Sequence, residues 1–196
     1  MTPKTPTALW RPAIGLSLFA LLGTGLAYAV LATGIAGTLF PAQAGGSLVR
    51  DADGRVRGSL LLAQPFAGDG YFQARPSASG YDPMAAAGSN LARGNPQLAQ
   101  RVADATAAVA ARERVAPAQV PADLVTASAS GLDPDLSPAA ARLQVARVAR
   151  ARGWPQQRVQ ALLERHVQAP GWGVPGQPRV NVIALNLALD AAAHAR

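Results

Sequence analysis

Ile14–Phe40, IGLSLFALLGTGLAYAVLATGIAGTLF, decides the architecture of this chain. It lies inside a longer window, between Arg11 and Arg50, that holds no charged residue. A bilayer core takes about 20 apolar helical residues, and this stretch exceeds that. A helix satisfies its own backbone amides, so lipid tolerates it. Residues 13–40 are therefore expected to form one transmembrane helix, with Trp10 at one interface and Tyr28 and Phe40 as further aromatic contacts. Within it Ala20 and Thr24, and Gly25 and Ala29, stand four apart, a spacing that lets another helix approach closely.

Lys4 and Arg11 are the only charges before the span. Positive residues stay on the cytoplasmic side, so residues 1–12 are expected to be a cytoplasmic tail. Residues 41–196 then form an extracytoplasmic domain. A cleaved signal peptide is the rival, with Ala42-Gln43-Ala44 or Ala27-Tyr28-Ala29 as the cleavage site. A signal core runs about 7 to 15 residues; this run is much longer, which favours retention.

The remaining composition mostly excludes. The chain is 49% hydrophobic and 15% charged, too apolar for intrinsic disorder. Much of the apolar content is alanine, which predicts a thin core. Without cysteine there are no disulfides, no thiolate-bound zinc and no thiol nucleophile. Two histidines, His166 and His194, rule out a multi-histidine metal site. The net charge of +7 comes from arginines scattered among Asp and Glu. Nucleic-acid binding wants such charge clustered on one face, so a solvated surface is the better reading and no nucleic-acid partner is expected.

Beyond the span the chain reads as an α+β soluble domain. Leu48-Val49-Arg50 and Val56–Leu62 flank Asp51-Ala52-Asp53-Gly54, a hairpin whose Asp-Gly supplies the positive φ of a tight turn. The same residues resemble the start of a calcium loop, but its later ligands are missing. Gln64–Asn95, rich in Gly, Pro, Ser, Asn and Asp, is long for a structureless loop in a compact domain and so draws suspicion of function. Asn95-Pro96 caps a helix to about Arg114, with Leu98, Val102, Ala105 and Val109 on one face. Pro121–Gly131 looks extended. Ser137-Pro138 opens a second helix to about Arg152, stopped by Gly153. Trp154-Pro155 opens a third, with Val159, Leu162, Leu163 and a structural His166 on its stripe. A short strand over Arg179–Val182 is expected to run into a last helix.

Ser128 and Ser130 lack the Gly-x-Ser-x-Gly elbow. Asp133 and Asp135 could pair as acid and base or hold a metal, yet Asp133-Pro134-Asp135 also suits a turn into a capped helix. No phosphate loop exists, and Lys4 is the sole lysine. No catalytic or metal site is expected; an anchored extracytoplasmic hydrolase or an anionic-ligand module remain the alternatives.

Several ordered stretches resemble the C subunit of the Kdp-type potassium-transporting ATPases. They are Phe40-Pro41-Ala42-Gln43-Ala44 with Gly46-Ser47-Leu48, Tyr71-Phe72 with Arg75-Pro76-Ser77-Ala78, Gly88-Ser89-Asn90-Leu91 with Asn95-Pro96, and Asp123-Leu124-Val125-Thr126-Ala127-Ser128. Ser130-Gly131-Leu132-Asp133-Pro134, Ser137-Pro138-Ala139-Ala140-Ala141, Gln144-Val145 with Arg147-Val148-Ala149, and Arg179-Val180-Asn181-Val182 with Leu185-Asn186-Leu187-Ala188-Leu189-Asp190 complete them. The chain departs at Ala86-Ala87, Ala92 and Asp82, and carries Asp135 where the family often has histidine.

The resemblance implies a non-catalytic subunit of an ATP-driven potassium importer in the bacterial inner membrane. Its partners would be a channel-like subunit and a P-type ATPase subunit. It also implies a catalytic chaperone that raises ATP affinity on the ATPase subunit, with Gln144 as a nucleotide contact; ATP enters only through the complex, and no cofactor is expected on the chain alone. The residues it marks for interaction are Tyr71, Arg75, Pro76, Ser77, Gly88, Ser89, Asn90, Asp123, Thr126, Ser128, Gly131, Asp133, Pro134, Ser137 and Asn181. The expected sidedness puts Gln144 outside and ATP inside. An external cap or brace at the potassium entrance, acting indirectly on ATP use, is therefore the physical expectation.

Overall fold

The computed structural model describes residues 7–50, 53–171, 173 and 175–194. Lys4 and the Asp51-Ala52 part of the hairpin turn lie outside the described residues. The chain divides into two compact units, Met1–Leu48 and Val49–Arg196.

The first unit is a helical rod. α1 (Thr7–Ala20) passes into a π-helical stretch, Leu21–Ala27, and continues as α2 (Tyr28–Leu39). Leu9–Leu39 is a 31-residue helix whose most apolar 18-residue stretch has mean hydropathy 2.0 and is not buried. At about 1.5 Å per residue it measures about 46 Å, long enough to cross a hydrocarbon core of about 30 Å. Two of its threonine hydroxyls bond within the helix: Thr24 Oγ1 donates to Ala20 O (2.6 Å) and Thr38 Oγ1 to Ile35 O (2.9 Å). That arrangement suits a medium that offers no partner. The wide π turns fall on Gly23 and Gly25, within the stretch that holds the small-residue pairs. Pro41 then starts a single turn, α3 (Pro41–Ala44).

The second unit mixes short strands with four helices. β1 (Leu48–Arg50) pairs with β2 (Val56–Ser59), and Gly54 at φ +78° makes the turn as its sequence predicts. The second strand stops at Ser59 instead of reaching Leu62. Ser59 Oγ accepts from Leu61 N (3.1 Å), and this local bond bends the chain out of the ladder. A long irregular segment leads to α4 (Pro96–Glu113). There Asn95 Oδ1 accepts from Gln97 N (2.9 Å) and Arg114, at φ +60°, ends the helix. β3 (Asp135–Leu136), α5 (Pro138–Arg152), α6 (Gln156–Arg165), β4 (Val167–Gln168), β5 (Arg179–Asn181) and α7 (Val182–His194) complete the fold.

The second sheet has the order β3-β5-β4, both pairs antiparallel, with Leu136 and Val167 each opposite Val180. α5 is the central helix. Ala140, Ala141, Val145, Val148 and Ala149 bury its face against Val159 and Leu163 of α6 and Leu185 and Leu189 of α7. Alanine contributes Ala140, Ala141 and Ala149 to this buried face. Ser137 Oγ accepts from Ala140 N (3.1 Å) at its start, and Gly153 at φ +63° ends it.

Two local expectations needed correction or resolution. Pro121–Gly131 is not extended throughout: a 3-10 turn forms at Ala122–Leu124, just after another at Pro117–Gln119. Each follows or opens on a proline, and the later one turns Leu124 into the core at 3% exposure. Ile183, Leu185, Leu187 and Leu189 alternate like a strand, yet the buried set Val182, Leu185, Asn186 and Leu189 repeats at helical spacing. The short strand running into a helix is borne out, with Val182 already helical.

Candidate functional site

The long Gly/Pro/Ser-rich segment is held down by side chains from distant helices. Phe72 is fully buried. Its N–H donates to Asn186 Oδ1 (2.9 Å) and its carbonyl accepts from Asn186 Nδ2 (2.9 Å). Gln144 does the same for the next residue: Gln73 N–H donates to Gln144 Oε1 (2.8 Å), and Gln144 Nε2 donates to Gln73 O (3.1 Å). Two carboxamides thus replace the sheet partners this strip lacks. Each supplies one donor and one acceptor, as a peptide unit would.

A buried ion pair sits beside them. Arg147 (2% exposed) donates through Nε to both oxygens of Glu113 (0% exposed), at 2.9 and 3.1 Å. Its remaining nitrogens reach Asp69 O (2.6 Å), Tyr71 O (3.0 Å) and Gln144 Oε1 (2.8 Å). Arg152 extends the clamp to Gly70 O (2.6 Å) and Asp190 (2.8 Å) while stacking over the Tyr71 ring. Tyr71 OH donates to Asp190 Oδ2 (3.1 Å). So Tyr71 and Gln144 act in one polar network that fixes residues 69–73.

The other marked residues build a second, more superficial layer. Arg75 Nη1 donates to Asp133 Oδ2 (3.1 Å) and Nη2 to Thr126 Oγ1 (3.5 Å), while its Nε is buried and unpartnered. Ser77 Oγ accepts from Ser79 N (3.2 Å) and Tyr81 N (2.9 Å), and Tyr81 OH donates to Arg75 O (2.8 Å). Burial pushes the Tyr81 hydroxyl above its ordinary pKa, opposed by Arg112. Gly88 and Gly131 are required for space. A Cβ at Gly88 would stand 2.8 Å from Ala129 O, and one at Gly131 (φ +71°) 2.7 Å from Ser79 Oγ and 2.8 Å from Ala87 O. Asn90 has φ +51°, the left-handed region where asparagine is tolerated. Pro76 and Ser89 line a cleft against α4.

Asp123 Oδ2 accepts from Ser137 N (2.7 Å), joining the 3-10 turn to the start of α5. Asp133 N donates to Ser128 Oγ (3.4 Å), and Asp133 Oδ1 accepts from Asp135 N (3.0 Å). Pro134 O accepts from Val182 N (2.9 Å). Asn181 Nδ2 reaches Leu60 O (2.7 Å), and its Oδ1 accepts from Ala184 N (3.0 Å) to cap α7. These positions are brought together as fasteners between loops. The two histidines each lie against a carbonyl one turn back, Leu162 O for His166 and Asp190 O for His194. Among the described residues no group of three or more His, Asp or Glu could hold a metal ion.

Asp135 is the titratable group this layer perturbs most usefully. Burial raises its pKa above the ordinary 3.8, Arg179 and the Asn181 amide oppose this, and neighbouring Asp133 adds to it. The fold therefore binds the proton more tightly than the unfolded chain does. The stability this group contributes is full below pH 3.8 and is lost as pH rises through the raised value. Asp135→Asn is expected to raise the melting temperature at pH 7, with the gain vanishing below pH 3.8. Melting curves of both proteins across this range check it.

Sequence reasoning missed Asn186, Arg147, Arg152 and Glu113 as members of the site. An asparagine inside the apolar run Ile183–Leu189, and a glutamine and arginine among the alanines and valines of α5, were the available signals. A polar group in an apolar stripe needs a partner.

Comparison with known proteins places this layout. A family profile described as K+-transporting ATPase, c chain (KdpC) matches residues 10–191. A potassium-transporting ATPase KdpC subunit of Xanthomonas campestris pv. campestris (strain B100) is 60% identical over 182 residues, 93% of this chain and 87% of the relative. Counterparts of the same name from Xanthomonas axonopodis pv. citri (strain 306) and Variovorax paradoxus (strain S110) are 57% and 56% identical. They cover 97% and 95% of this chain and 92% and 97% of their own. With the profile spanning the apolar helix and nearly all of the clamped domain, the chain belongs to the KdpC family, the c chains of K+-transporting ATPases.

Proposed function

We propose that the chain is a non-catalytic accessory subunit of an ATP-driven potassium importer in a bacterial inner membrane. One helix, Leu9–Leu39, anchors it with the N-terminus inside and the domain outside. Its partners are a channel-like subunit and a P-type ATPase subunit, and the domain caps or braces the potassium entrance. Family membership supports the potassium-transport role, and Lys4 and Arg11 support the sidedness.

The observation that carries the indirect mechanism is the state of Gln144. Its side chain is fully buried, and both ends of its amide bond to Gln73 and Arg147. A nucleotide could reach it only after residues 69–73 were released. An effect on ATP use then travels as a coupling free energy between separated sites, about 1–3 kcal/mol in typical cases.

Purification of the tagged full-length chain in mild detergent tests the assignment. Two larger membrane subunits are expected to co-purify, with ATP turnover in the complex and none in the chain alone. A chain recovered by itself from cells that express all the subunits would contradict it.

A further inference from the structure

We propose that a cavity between α7 and the β1–β2 hairpin holds an acyl chain of an anionic membrane phospholipid. The site rests on the membrane-anchor reading above and adds a lipid contact within the second unit. The cavity measures about 750 Å³, inside the range of about 300–1,000 Å³ usual for small-molecule sites. Val49 of β1, Phe66, and Ile183, Leu187 and Ala191 of α7 make its wall apolar. Arg50, Arg57, Asp190 and His194 supply its charged and titratable groups.

α7 explains why the wall is apolar. Val182, Leu185 and Leu189 turn one of its stripes into the core. Ile183, Leu187 and Ala191 stand four apart on another, as residues on one helical face do. Ile183 is buried, Leu187 half-buried and Ala191 exposed, so this second stripe opens progressively toward the helix end. A helix apolar all round is normally buried on every side, in a large core or in lipid. Here the second stripe faces a cavity instead.

Charge complementarity selects the occupant. Arg50 and Arg57 are exposed at the cavity, and Arg50 Nη1 gives one of the guanidinium's five donors to Gly54 O (3.0 Å). Asp190 is the one acidic group among the described lining residues, and both its oxygens are engaged. Oδ1 accepts from Arg152 Nη2 (2.8 Å) and Oδ2 from Tyr71 OH (3.1 Å). His194 sets its Nδ1 against Asp190 O (2.7 Å) and adds positive charge when protonated. The balance favours an anionic group beside an apolar wall. A bare phosphate would leave that wall unused, and an uncharged chain would leave the arginines unused; an anionic phospholipid uses both. Residues 40–48 alone separate Val49 from the end of the span at Leu39. Membrane lipid is therefore the amphiphile that the anchored chain meets at high effective concentration.

The test uses the full-length chain in phosphatidylcholine vesicles that carry a phosphatidylglycerol with a photoactivatable acyl chain. Crosslinks to α7 are read by mass spectrometry as a ratio to crosslinks on Leu9–Leu39 in the same sample. That ratio is expected to fall about tenfold or more in Ala191→Trp, which fills the cavity. It should fall about fivefold or more in Arg50→Gln/Arg57→Gln, and likewise when phosphatidylcholine carries the reactive chain. Gln157→Trp, exposed on α6, is the control and keeps the wild-type ratio. If Ala191→Trp lowers the melting temperature, the arginine pair and the headgroup comparison decide. A labelled span without α7 crosslinks, or α7 crosslinks unchanged in both variants, overturns the proposal. So does a photoactivatable fatty acid that labels α7 and that phosphatidylglycerol does not compete away, since the occupant is then a free fatty acid. A span that takes no crosslinks from the bilayer removes the anchor reading, and the lipid site falls with it.

Discussion

Arg147→Ala is expected to destabilise the domain by about 3–5 kcal/mol, the usual cost of removing one partner from a buried ion pair. Glu113 would be left fully buried with Arg112 alone, a half-exposed neighbour whose Nε lies 2.9 Å from one oxygen. Asp69 O, Tyr71 O and Gln144 Oε1 would each lose a charged donor at the same time. Against a typical total stability of about 5–15 kcal/mol, this is a large fraction. Lysine is no substitute, since one ammonium cannot fork across acceptors in so many directions. Arg147→Met combined with Glu113→Leu removes both charges and should recover much of the loss. Denaturant titration of the detergent-solubilised chain checks this, and a loss below about 1 kcal/mol for Arg147→Ala would show that the loop is held by other means.

Asn186→Leu should cost about 2–6 kcal/mol. Leucine nearly preserves the volume, so the packing of α7 survives. The penalty comes from Phe72, whose buried N–H and carbonyl both lose their partner, each orphan costing about 1–3 kcal/mol. Gln144→Leu strips Gln73 likewise and also takes an acceptor from Arg147. The same titration measures both, and the second bears on mechanism. Were Gln144 a nucleotide contact with no structural duty, Gln144→Leu would leave stability intact and alter only ATP dependence. The polar clamp predicts that stability falls first.

The features legible in the sequence were those that local chemistry controls. An uncharged run with lipid length announces a helix long and apolar enough to cross a membrane. Asn95-Pro96 and Ser137-Pro138 announce helix starts because a capping oxygen and a fixed φ act within a turn. Gly54 announces its turn, and the density of Gly, Pro and Ser marks the irregular segment that the polar clamp holds. Long-range pairing is what the sequence could not display. Gln73 meets Gln144 across 71 residues and Phe72 meets Asn186 across 114. Nothing in local spacing dictates which carboxamide serves which peptide unit. The 3-10 turn at Ala122–Leu124 was misread for a related reason, since burial of Leu124 and the Asp123–Ser137 bond outweigh local extension. Asp135 shows the same limit: beside a proline it looks like a turn residue, yet pairing with Asn181 makes it part of a strand.

The proposed sidedness of the domain is tested most directly by single-cysteine labelling, for which the absence of native cysteine leaves no background. Ala146→Cys on α5 is exposed, unlike the buried Gln144, and Thr5→Cys reports the opposite end of the span. A membrane-impermeant maleimide applied to intact spheroplasts is predicted to label residue 146 and to reach residue 5 only once the membrane is opened. Labelling of residue 146 that appears only after opening would put the domain in the cytoplasm and contradict the account.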